Sequence, residues 1–151
     1  MTPDRQALTL ATSEDKALVQ AWDRLSAMLN VLDSKTSALL RFNAMVVAAL
    51  AYLVVVAGAD PFAQARPIIK TLGFAVGHIS LVLSVVSCGF AFPVISVARG
   101  FFDAAPGIDK DVVVRLGAVV AQRTRLYAWA WRLAVTGGLG FALLVALATI
   151  H

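Results

Sequence analysis

Leu18, Trp22, Leu25, Leu29 and Leu32 recur at alternating spacings of four and three. That is the seam of a helix that packs along its length against other helices. Carried forward, the seam passes through Thr36, Leu39, Asn43, Val46, Leu50 and Leu53 without a change of phase. Only Thr36 and Asn43 interrupt its apolar character. Upstream, Thr12 or Ser13 can cap a helix, and Glu14 and Asp15 suit its first turn. No Gly or Pro follows until Gly58 and Pro61. The pattern therefore predicts a flexible leader over 1–13 and one helix from about Glu14 to Ala57, about 65 Å long. A bilayer core is about 30 Å thick. Such a helix needs a half outside the membrane, 14–37, and a spanning half, about 38–57.

A short polar turn, "GADPFAQARP", leads to a second apolar run from Thr71 to Ala98 that holds no Asp, Glu, Lys or Arg. Pro93 is its expected kink. The pairs Gly73–Gly77 and Ser80–Ser84 are small residues at the spacing that lets helices approach closely. After "RGFFDAAPGIDKD", an amphipathic stretch over about 110–131 leads without a break into a third run, 133–150. Val113, Leu116, Val120, Tyr127 and Ala130 share a stripe that Arg123 interrupts. Trp129, Trp131 and Tyr127 beside Arg132 read as an interfacial belt. The predicted architecture is an all-α membrane protein. Three transmembrane helices form a single unit over 14–151, and the first and third extend outside as an amphipathic stalk, expected to pair antiparallel.

Composition agrees with this pattern. The hydrophobic fraction is 60% and the charged fraction 15%, against about 45–50% and about 25% in soluble domains. Charge adds orientation. Five basic residues precede the first run, six lie between Arg99 and Arg132, and only Arg66 and Lys70 fall between the first two runs. Cytoplasmic flanks carry the excess of Lys and Arg. The expected topology has a cytoplasmic N-terminus and a periplasmic C-terminus in a bacterial inner membrane. The net charge of +4 is accounted for by these flanks and suggests no nucleic acid polymer as partner. The N-terminal residues lack the apolar core of a signal peptide.

Candidate chemistry is sparse. Cys88 is a lone cysteine in an apolar run, and the two histidines, His78 and His151, are too few for a zinc site. His78 could serve a proton path, but no acid in the apolar runs can partner it, and a hydrogen-bonded interfacial histidine is the simpler reading. Asn43, on the seam, either sets register or contacts a ligand. Asp33 and Lys35 are not an i,i+4 pair, so each should meet another helix, with Arg123 and Arg125 as the expected partners. They form either a solvated collar or an anion pocket in which Lys35, Arg123 and Arg125 face a phosphate while Asp33 orients a donor group. Thr36, Gly73, Gly77, Ser80 and Ser84 are the expected packing contacts. No P-loop, dinucleotide fingerprint or nucleophile elbow is present; "GGLG" over 137–140 falls in a membrane run. No enzyme, cofactor or metal is expected.

The stretch "LDSKTSALLRFNAMVVAALAYL" resembles the start of the Pycsar transmembrane effector domain, with Asp33, Lys35, Ser37, Leu39, Leu40 and Asn43 at its Asp-x-Lys, Leu-Leu and Asn positions. "FAFPVISVARG" is similar to the Pro-containing close of that family's second span, and "AQRTRLYAWAWRLAV" to the approach to its last. The resemblance covers most of 20–150. It implies antiphage defence, in which a cyclic pyrimidine nucleotide, cyclic UMP or cyclic CMP, prompts a membrane-resident oligomer to impair the inner membrane. Asp33, Lys35, Asn43, Arg123 and Arg125 would then be the first candidates for ligand contacts. The competing expectation is an accessory subunit of a respiratory or photosynthetic membrane complex, with Gly73, Gly77, Ser80 and Ser84 facing its partner.

Overall fold

In the computed structural model the chain forms three helices: α1, Pro3–Ala51; α2, Pro67–Phe102; and α3, Lys110–Thr149. The structure describes residues 3–53, 62, 65–102 and 110–149, with side chains described for 15–53, 62, 65–95 and 110–149. No strand occurs among the described residues.

The first helix starts well before the expected position, because it begins at Pro3. Proline suits a first helical turn: its φ is already helical and its missing N–H would have had no intrahelical partner. With no Gly or Pro between Asp4 and Ala51, nothing interrupts the helix, and the local cap at Thr12–Asp15 is overridden. The helix runs through the cap rather than starting at it, so the expected leader over 1–13 is helical from Pro3 on. At its other end the expected span 38–57 continues into residues outside the described set. The second helix runs through Pro93 as one element, and the amphipathic and apolar halves of the third are continuous.

All three helices bury a heptad-spaced stripe. On α1, Leu29, Leu32, Thr36, Leu39, Asn43, Val46 and Leu50 are buried. On α2 the stripe runs through Gly73, Ser80, Ser84, Ser87, Ala91 and Val94, and on α3 through Leu116, Arg123, Ala130, Ala134, Gly137 and Leu144. The core has two apolar clusters. Leu39, Ala91, Ala130 and Ala134 form one; Val46, Leu50, Phe62 and Leu144 form the other, flanked by Ile69, Val76 and Phe141. Later residues of α1 thus meet later residues of α3 and earlier residues of α2. α1 and α3 are parallel, and α2 is antiparallel to both. The expected antiparallel stalk is therefore incorrect: two reversals of direction return the chain to its original heading.

Phe62 was read as part of a polar turn, yet it is buried. Its ring lies 6.4 Å from that of Phe74 at 60° and covers Gly73, where a Cβ would come within 2.5 Å of the ring. The turn therefore contributes one large apolar side chain that closes the end of the bundle.

Two helices, α2 over Pro67–Ile95 and α3, are long and apolar enough to cross a membrane. The described part of α1, which carries Arg41 and Asn43 in its apolar half, does not join them. Among the described residues, length and composition support two spans rather than the expected three. The outward faces of α2 and α3 carry large apolar side chains, among them Phe74, Val82, Phe92, Leu139 and Leu143, a surface suited to lipid rather than water.

Candidate functional site: a buried polar seam

The stripe that α1 contributes has two polar layers. Asn43 Nδ2 donates to Ser87 Oγ at 2.8 Å, and Ser87 Oγ donates to the backbone oxygen of Ala130 at 2.7 Å. One relay therefore ties all three helices together. Its register is specific, since sliding α1 by one turn would bring an apolar residue to Ser87. Asn43 Oδ1 is buried with no partner. Thr36, one heptad earlier, is also fully buried, and its hydroxyl donates to its own helix at Leu32 O, 2.7 Å away.

By the register of that relay, Arg123 lies one heptad before Ala130 and level with Thr36 and Val94. Sequence reading took Arg123 for an interruption of an apolar stripe. It lies within the core, 2% exposed. Its Nη1 reaches Asp33 Oδ1 at 3.5 Å, the limit of a useful hydrogen bond, while Nε and Nη2 are buried without partners. Asp33 is 39% exposed and keeps much of its hydration. A guanidinium in this setting is under-satisfied. It has donors to offer an anion and one distant, half-solvated carboxylate holding it.

The other candidate residues separate. Lys35 and Arg125 are exposed on the outside of the bundle, so the expected four-residue pocket does not form as a single cavity. The structure brings together Asp33 with Arg123, and Asn43 with Ser87. Ser87 was missed as a site residue because Ser84 and Ser87 look alike in sequence; only the register selects the one facing Asn43. His78 is exposed and its Nδ1 lies 2.8 Å from Phe74 O on its own helix, a local contact that links to no other polar residue of the seam.

Ser80 and Ser84 face α3 within the chain. A Cβ on Gly137 would lie 3.1 Å from Ser84 Oγ and 3.2 Å from Ser80 O, and one on Gly140 would collide with Ser80 Oγ. The hydroxyls thus lie against glycine backbone, buried without a hydrogen-bond partner. Gly73 lies under Phe62, and Gly77 meets Leu144. The docking surface expected for an accessory subunit cannot be built from these four residues, since contacts inside the chain occupy them. Similarly, the α1 seam from Leu29 to Leu50 faces α2 and α3 and is not open to other copies. Among the described residues no group of His, Cys, Asp and Glu could hold a metal ion.

No family model matches the chain, and no relative is found among curated proteins or solved structures. What the chain does has to be argued from the seam itself.

Proposed function

We propose that the chain is a signal-gated membrane effector of a bacterial inner membrane. A cyclic pyrimidine nucleotide would prompt it to self-associate and impair the bilayer. The observation that carries this reading is Arg123, a buried cation with two unpaired nitrogens beside a weakly held Asp33. An anionic ligand that satisfies those donors competes with Asp33 for an interaction that links the charged parts of α1 and α3. Releasing Asp33 loosens α1, and the heptad seam of α1 becomes available to the same seam in other copies. Moving such an equilibrium from almost closed to almost open takes a differential affinity of about 5.5 kcal/mol.

In this reading α1 also crosses the membrane. Its residues Leu39, Val46 and Leu50 pack at the level of the apolar segments of α2 and α3, so a bilayer around those two helices also surrounds the third. The N-terminus is then cytoplasmic and the C-terminus periplasmic. Arg41 and Asn43 are tolerated because one lies at the surface and the other bonds to Ser87.

The test is dye release from vesicles holding the purified protein, with cyclic UMP, cyclic CMP or a purine counterpart added. Release by a pyrimidine cyclic nucleotide, weakened at least tenfold in Arg123→Met, supports the proposal. Tight vesicles under every nucleotide, together with harmless overexpression, would remove it.

A further inference from the structure

Three exposed residues of α3, Arg125, Trp129 and Arg132, lie at i, i+4 and i+7 and share one face of the helix. The Arg132 guanidinium sits 5.4 Å from the centre of the Trp129 ring, within cation–π range. The two arginines, seven residues apart, stand about 10 Å from each other along the helix. The stripe falls where α3 passes from its charged half to the uncharged stretch from Leu133 to Thr149. Neither α1 after Asp33 nor α3 after Asp111 carries an acidic residue, and α2 carries none. The cations therefore have no acidic residue on the membrane half of any helix to neutralise them. Arg41, also exposed, comes to a similar height, because the Asn43–Ser87–Ala130 relay sets α1 and α3 level at that point.

We infer that this stripe is a binding site for the headgroup of an anionic phospholipid. Trp129 is 55% exposed, and its indole suits the boundary between headgroups and chains. The arginines above and below it supply charge-assisted donors to a lipid phosphate. An acidic peptide would complement the charge alone. A lipid complements the charge, the aromatic face and the adjoining apolar surface together. Headgroup binding here would hold α3 at a fixed depth, independently of what Arg123 does in the core.

The test uses Trp22→Phe/Trp131→Phe protein, in which Trp129 is the only tryptophan. It is reconstituted in vesicles of phosphatidylcholine with increasing fractions of chain-brominated phosphatidylglycerol, and in a parallel series with chain-brominated phosphatidylcholine. Contact with bromine quenches the indole, so the two titrations give the relative affinity of Trp129 for the two lipids. A preference of about thirtyfold for the anionic lipid is expected at low salt, from about 1 kcal/mol for each of the two arginines. It should fall to near unity in Arg125→Gln/Arg132→Gln, both surface positions outside the core. Equal quenching by the two lipids, or a preference that survives the double substitution, would overturn the inference while leaving the membrane reading intact. Absence of quenching by either lipid would overturn both.

Discussion

Replacing Arg123 by methionine should leave the bundle at least as stable as before, although it removes the largest fully buried side chain among the described residues. The reasoning is a balance of two terms. Attraction to Asp33 at 3.5 Å, at an effective dielectric of about 20, is roughly 5 kcal/mol before solvent competes. Asp33 is 39% exposed, so water screens much of that. Against it stands the desolvation of a guanidinium, several kcal/mol even after relaxation, with two nitrogens given no compensating bond. Methionine fills most of the volume of the aliphatic stem and carries no charge. The expected change runs from none to a gain of about 2 kcal/mol. Arg123→Ala also removes the stem that packs the seam, and should lose about 2–4 kcal/mol relative to methionine. Asp33→Asn leaves the buried cation in place with a weaker partner, at a cost of about 1–2 kcal/mol. That is below the usual figure for breaking a buried pair, because only one partner is buried. Unfolding in mild detergent, followed by helical circular dichroism on the wild type, Arg123→Met, Arg123→Ala, Asp33→Asn and the Asp33→Asn/Arg123→Met double variant, measures all of these. A loss of more than about 2 kcal/mol in Arg123→Met, with Asp33→Asn neutral, would show that Arg123 stabilises the bundle on balance and would refute the account of it as a strained, ligand-ready cation.

Ser87→Ala should cost about 1–2 kcal/mol, because it leaves Asn43 Nδ2 buried without an acceptor while the Ala130 carbonyl keeps its helix bond; a neutral result in the same unfolding assay would mean that water already serves the site. Gly137→Ala should lose about 1–3 kcal/mol, since its Cβ would press on the Ser80 backbone at 3.2 Å, whereas Gly89→Ala and Gly117→Ala, which meet nothing within 4 Å, should gain up to about 1 kcal/mol of helix propensity. If all three behave alike, α2 and α3 are not in close contact at Gly137. Protease-accessible tags on the two termini should report opposite sides of the membrane; tags on the same side would mean that the chain crosses an even number of times.

The hydrophobic pattern alone carried the reading a long way. The seam from Leu29 to Leu50 coincides with the buried face of α1, because a heptad spacing leaves a helix only one face that can be packed continuously. That the chain is all helical, and that α2 and α3 suit a membrane, also follows from local properties: long apolar stretches without breakers. The helix start was misplaced because a good local cap at Thr12–Asp15 does not end a helix that already runs through it.

What the sequence could not decide is which partner meets the seam. Asn43 and Thr36 fall on the same stripe, yet one bonds across the bundle and the other to its own helix. The difference lies in Ser87 of another helix, at a register set by packing. Arg123 occupies a seam position, but the charge made it look like an interruption. Whether a charged seam residue turns outward or stays in the core depends on what stands opposite. Here the parallel course of α1 and α3 brings Asp33 within reach of it. The same packing buries Ser80, Ser84 and Gly73 against α3 and Phe62 rather than leaving them for another chain. Periodicity is a property of one helix and is written along it. Register and direction are relations between helices, and they exist only once the three have packed.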